Sequence, residues 1–300
     1  MSASDGLFVS VPNPALCCAL NFKNISNLLS SKPSFQDSQN ITSSETQIIS
    51  EKILHFLKEM NFLPESMFFY YQPPVDFLVN VGGEIDVDRW RALFKEENII
   101  NRRIGFSVID SSQKEKNNPT VLFIASGSIL IYPANLEEAV LKDFSEKRCT
   151  LPEKWETFKK MASRKPFLAL EANLELLFEK LTPGVLKNLE LIEPWSELAL
   201  VRIIMEKDFF KAQFFSNRED FIARNKGFGD EIINFLKKDF KFFDSLSANF
   251  SEKFFEKVSV SYQGKSIFLN GDGLGEMLEK AETLYLSFLS EKILESFPNN

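Results

Sequence analysis

The run ELALVRIIM at 197–205 is followed, after Glu206-Lys207, by DFFKAQFF at 208–215. Both runs are dense in β-branched and aromatic residues and meet across a short polar link, the pattern of a β-hairpin. Asn217-Arg218-Glu219-Asp220 then opens a helical region that runs, with breaks at Gly227 and Gly229, towards Phe243. A hairpin followed by helix, rather than a strict strand–helix alternation, predicts antiparallel sheets with helices packed on one face. The expected class is therefore α+β.

Working outward, Phe167–Ala172 reads as a strand entering a helix, Leu174 to Leu181, that stops at Thr182-Pro183-Gly184. A second hairpin pairs Val258–Tyr262 with Ser266–Asn270, and Gly275–Ile293 is predicted as a closing helix. The N-terminal half repeats this order. A strand at 15–22 is followed by a Ser/Asn-rich loop at 31–44, and the capping box Ser44-Glu45-Thr46-Gln47 opens a helix to Met60. Ser66–Gln72 and Val75–Val81 form strands separated by Pro73-Pro74, which cannot donate to a ladder. Asp86 caps a helix predicted from Val87 to about Lys95. Strands at Ile104–Ile109, Thr120–Ala125 and Ser128–Tyr132 precede a short helix from Asn135 to Phe144. The matching order predicts two related modules, 1–150 and 151–300. They are joined by a polar connection at about 145–165 that contains a helix around Glu153–Met161.

Composition narrows the function classes. With 44% hydrophobic and 26% charged residues the chain can bury a core. Its net charge of −7 argues against nucleic acid or an anionic membrane as partner. The densest basic pairs, Arg102-Arg103 and Lys237-Lys238, extend into no tract and read as solvated surface charge. The 31 phenylalanines, against 5 tyrosines and 3 tryptophans, supply apolar area without a polar handle and read first as core filling. No apolar run is long enough to span a bilayer. The start, Met-Ser-Ala-Ser-Asp-Gly, lacks a signal-peptide pattern, which suits either a cytosolic protein or a mature region re-started with Met.

Catalytic and metal patterns give no candidate site. Cys17, Cys18 and Cys149 lack ligand spacing, and adjacent Cys17 and Cys18 would point to opposite faces of a strand, so free thiols are expected. The one histidine, His55, sits near the face boundary of an amphipathic helix, which suits an ordinary helix residue better than a general base. Asn270-Gly-Asp-Gly-Leu-Gly275 lacks the Lys-Ser/Thr of a phosphate loop and the acid spacing of a calcium loop. Glu84, Asp86 and Asp88, like Glu96-Glu97, are explained by a helix start that favours negative charge. Asn24, Asn40 and Asn249 stand in glycosylation sequons. The expectation is no catalytic, cofactor-binding or metal-ligating residue and no cofactor.

Phe77-Leu-Val-Asn-Val-Gly-Gly-Glu-Ile-Asp86, the helix carrying Trp90 and Leu93, and Arg103-Ile-Gly-Phe106 lead to the hairpin Thr120–Tyr132 and the exit helix Leu136–Phe144. This arrangement, within residues 66–180, resembles poorly characterised bacterial envelope (periplasmic) proteins built from tandem α+β modules. The resemblance implies an extracytoplasmic, non-enzymatic module and carries no site residues. The first expectation is accordingly a binding or scaffold protein of a bacterial cell envelope, periplasmic or secreted, or cytoplasmic if no leader was removed. It would act on a protein partner, or on an apolar ligand, through a surface or an apolar groove between its halves. The alternatives are a cytosolic enzyme using acidic residues and a divalent metal, and a subunit of a larger assembly.

Overall fold

The structure, a computed structural model, describes residues 13–21, 62–74, 76–109, 118–146, 151–180, 193–206, 209–244 and 250–272. The predicted helices at 46–60 and 275–293 lie outside these residues.

Twelve strands form one antiparallel sheet in the order β11-β12-β10-β9-β8-β1-β2-β3-β7-β6-β5-β4. The first half contributes β1 (Leu16–Asn21), β2 (Leu63–Gln72), β3 (Asp76–Glu84), β4 (Ile99–Arg102), β5 (Gly105–Ile109), β6 (Thr120–Ala125) and β7 (Ser128–Pro133). The second contributes β8 (Leu168–Asn173), β9 (Leu198–Met205), β10 (Phe209–Ser216), β11 (Val258–Gln263) and β12 (Ser266–Asp272). The hairpins read at 197–215 and 258–270 are β9–β10 and β11–β12. The α+β class is as expected. The sheets of the two halves are not separate, however: they join where β1 pairs with β8, Cys17 opposite Glu171 and Ala19 opposite Ala169. Outward from this seam both halves run in one sense, β1-β2-β3-β7-β6 on one side and β8-β9-β10-β12-β11 on the other, with β5 and β4 added to the first.

Side chains alternate across a sheet, so each core can be assigned to a face. On one face of the first half, Cys17, Phe68, Tyr70, Leu78, Phe123, Leu130 and Tyr132 pack under α2 (Glu137–Glu146) and α3 (Glu156–Ser163). In the second half the opposite face is covered. There Val201, Phe214, Ala212 and Ile267 pack with Leu174 of α4 (Leu174–Lys180), Trp195 of α5 (Glu193–Ser196), Phe221 of α6 (Phe221–Arg224), Phe228 and Ile232 of α7 (Phe228–Asp244) and Phe254 of α8 (Phe250–Glu256). That same face carries a smaller core in the first half, where Trp90 of α1 (Val87–Arg91) packs with Phe62, Phe106 and Ile124. The principal helical layer thus changes sides at the seam. Phenylalanine supplies much of both large cores, largely through edge-to-face pairs such as Phe210–Phe254 at 5.7 Å and Phe221–Phe228 at 5.9 Å.

Several elements differ from the sequence reading, among them α5 (Glu193–Ser196) and α8 (Phe250–Glu256), which it did not contain. The helix predicted from Val87 to about Lys95 ends at Arg91, and a 3₁₀ turn at Glu96–Asn98 leads into β4, a strand the periodicity missed. The stretch read as a polar connection is structural: Leu151, Trp155, Phe158 and Ala162 are buried in the first core. Its charged residues form the outer face of an amphipathic helix, and this is why its composition resembles a linker. Phe158→Ala should therefore cost about 3–5 kcal/mol by cavity formation. Exposed Thr157→Ala should stay within about 0.5 kcal/mol, both read from denaturant midpoints.

Candidate interaction surface and its anchors

Charged side chains with buried atoms gather at three places. At the first, Arg102 on β4 contacts Glu137 on α2 at 2.7 Å and donates from Nε to Ser107 Oγ at 3.3 Å. Ser107 Oγ donates in turn to Glu137 Oε1 at 3.1 Å. Tyr132 lies beside them, and burial first, then the Glu137 carboxylate, hold its hydroxyl protonated well above the usual range, while Ser107 and Arg102 pull the other way. Ser107 is wholly buried and Glu137 is neutralised by Arg102, so this cluster lacks a free base beside an accessible nucleophile. It fastens β4 and β5 to α2. Arg102, expected as free surface charge, is thus a structural tie.

The second is Glu171 on β8, buried opposite Cys17 and paired with Arg202 on β9 at 3.2 Å. α3 packs on β8. The third lies in the second half, where Glu197 receives Arg218 and Arg224, each at 3.0 Å. These arginines are largely exposed, so each pair contributes at most about 1 kcal/mol.

The other residues singled out in the sequence take plain structural roles. Asp86 Oδ1 accepts from the Arg89 backbone N–H at 3.2 Å, the predicted cap. Cys17 is buried in the first core, and Cys18 is a free thiol. Although Cys18 keeps partial exposure, desolvation of its sulfur pushes the thiol up to about 12. Asn270, Gly271 and Asp272 finish β12, so the glycine-rich run begins as strand rather than loop. His55, Cys149, Asn24, Asn40 and Asn249 lie outside the described residues. Among the described residues no three His, Cys, Asp or Glu are placed to hold a metal ion. Nor is any described helix long and apolar enough to cross a membrane.

What stands exposed is apolar and peripheral. Among the described residues five large hydrophobic side chains are open to solvent: Leu93, Ile100, Ile104, Phe235 and Tyr262. Ile100 lies on the edge strand β4, Ile104 in the turn after it, and Leu93 just after α1. Cross-strand pairing puts Ile100 on the face of Ser107 and α2, while Asn101 faces the other way with Phe106. Arg91 grips this edge by bonding Asn101 Oδ1 at 2.6 Å and Glu96 at 3.0 Å, and its guanidinium lies 5.8 Å from the Phe106 ring. Gly105 lets β5 approach β6, since a Cβ there would meet the Ile124 carbonyl oxygen at 2.1 Å. The edge is therefore tied to α1 and to β6, with Ile100 and Ile104 exposed on it. Sequence reading missed this surface because β4 is only four residues long and does not alternate cleanly.

These features define a protein with one open, twelve-stranded antiparallel sheet and anchored edges. No known family and no curated protein matches the chain. Among solved structures the chain is similar to one titled "Structure of crystal form I of TP0453", with 11% identity and a TM-score of 0.40 over 94% of this chain and 96% of the other.

Two outcomes follow from the anchors. Arg202→Met leaves the Glu171 carboxylate buried without its partner. Because Arg202 keeps some contact with water, the cost should fall at roughly 2–3 kcal/mol, below the range for fully buried pairs. Adding Glu171→Leu should recover most of it in a double-mutant cycle. The raised Cys18 thiol contributes stability that is complete below its ordinary value of 9.0 and lost as pH rises towards about 12. Alkylation at pH 8 should accordingly be far slower at Cys18 in the folded chain than in denaturant.

Proposed function

We infer that the protein is a non-enzymatic binding or scaffold component of a bacterial cell envelope, acting on a protein partner through the β4 edge. The observation that carries this reading is the exposure of Ile100 on the edge strand β4 and of Ile104 in the turn that follows it, with Leu93 exposed just after α1. Exposed apolar side chains gathered at one place mark interaction sites more often than scattered ones do. Every second residue of β4 also turns its N–H and C=O away from β5, adding backbone groups to the surface. Among the described residues, Glu137 and Glu171 are held by Arg102 and Arg202, which supports a structural role for these carboxylates over acid–base chemistry. The envelope assignment rests on the resemblance of residues 66–180 to tandem-module envelope proteins.

A photo-cross-linking residue placed at Ile100 or Ile104 in cells of the source organism, followed by fractionation, tests both parts. The expected outcome is one discrete heterologous adduct in the envelope fraction, absent when the probe replaces Thr157. Equal adducts from all three positions would remove the edge as the binding surface, and recovery in the cytosol alone would remove the envelope assignment.

A further inference from the structure

The two ends of the sheet are built differently. β4 has four residues and runs into Arg102 and Arg103. β11, Val258-Ser-Val-Ser-Tyr-Gln263, has six, with no charge, proline or glycine, and its register with β12 is unbroken. Natural edge strands are commonly shortened, charged or bulged to prevent pairing with another chain. β11 carries none of these protections. Among the described residues no strand lies beyond it, and Ser259, Ser261, Tyr262 and Gln263 are exposed.

The backbone is also set for a further ladder. The two-residue turn Gly264-Lys265, with Gly264 at φ 57°, places Gln263 opposite Ser266. Bonded and non-bonded pairs alternate from there, so Val258, Val260 and Tyr262 direct their N–H and C=O groups outward. The strand is braced from one side, because Gly229 brings the start of α7 onto it: a Cβ at that position would meet Val260 Cγ1 at 2.3 Å.

We propose that β11 pairs with β11 of a second copy of this chain, antiparallel about a two-fold axis at Val260. In that register Val258 stands opposite Tyr262 of the other copy, Val260 opposite itself, and Ser259 opposite Ser261. Valine and tyrosine then meet on the face that already carries the second-half core, with hydroxyls opposite hydroxyls on the other face. Aromatic–β-branched and Ser/Thr cross-strand pairs are both favourable, and no like charges are brought together within the strand. A two-fold contact of this kind is self-complementary and closes at two copies. The occupant is therefore the chain itself. This surface is distinct from the β4 edge, so its test is independent of the proposed partner.

Light scattering of the purified full chain over a dilution series reads the outcome directly. The wild type should give twice the 34.4 kDa chain mass, falling towards one chain on dilution. Ser259→Lys with Ser261→Lys sets lysines opposite one another and should give a monomer with an unchanged circular dichroism spectrum and a Tm that no longer depends on protein concentration. Mixing that variant with one carrying Ser259→Glu and Ser261→Glu should restore the doubled mass. A wild type that stays monomeric, a lysine variant that stays dimeric, or a mixture that fails to re-associate would each overturn the proposal.

Discussion

The architecture depends on the antiparallel pairing of β1 with β8. Without it there would be two smaller sheets, each with another free edge; with it, twelve strands share one hydrogen-bonded surface. Side chains and loop backbone reinforce the seam. Asn21 Nδ2 donates to the Pro166 carbonyl at 2.7 Å and its backbone N–H to Phe167, while the Asn173 N–H reaches Ala15. Glu171 stands in the seam itself and its partner Arg202 one strand further on, so a charged pair occupies the ground between the two large cores.

The change of covered face follows from where the helices fall in the chain. α2 and α3 come after the last hairpin of the first half and lie over the face bearing Cys17 and Tyr70. α6, α7 and α8 sit between the hairpins of the second half and cover the other face. The second half's remaining face is mixed: Lys211, Gln213, Asn270 and Ser259 share it with Ile204, Phe215 and Phe268, and the Lys211 ammonium lies 5.5 Å from the Phe268 ring.

Much of this was legible in residue patterns, and the exceptions have physical causes. β9, β10, β11 and β12 announce themselves because β-branched and aromatic residues concentrate there and a short polar turn separates each pair. The seam leaves no comparable mark, since no local pattern records that Cys17 will face Glu171 across about 150 positions. Trp155 and Phe158 were hidden among the charges of their own helix. The exposed edge was missed for the converse reason: Ile100 and Ile104 look like core residues in a string, and only strand order shows that nothing described lies beyond them.

The seam also sets a schedule for synthesis. Chain leaving the ribosome can form the β2–β3 and β6–β7 hairpins early, because their partners are close in sequence. Domains generally fold as units from the N-terminus during translation, and exposed strand edges are hazardous in such intermediates. Here the first core cannot close until Leu151–Ala162 has emerged, and β1 keeps a bare edge until Leu168–Asn173 follows. A nascent chain stalled at residue 150 would therefore be an unfinished object rather than a completed module, its first strand waiting for the opening strand of the next half.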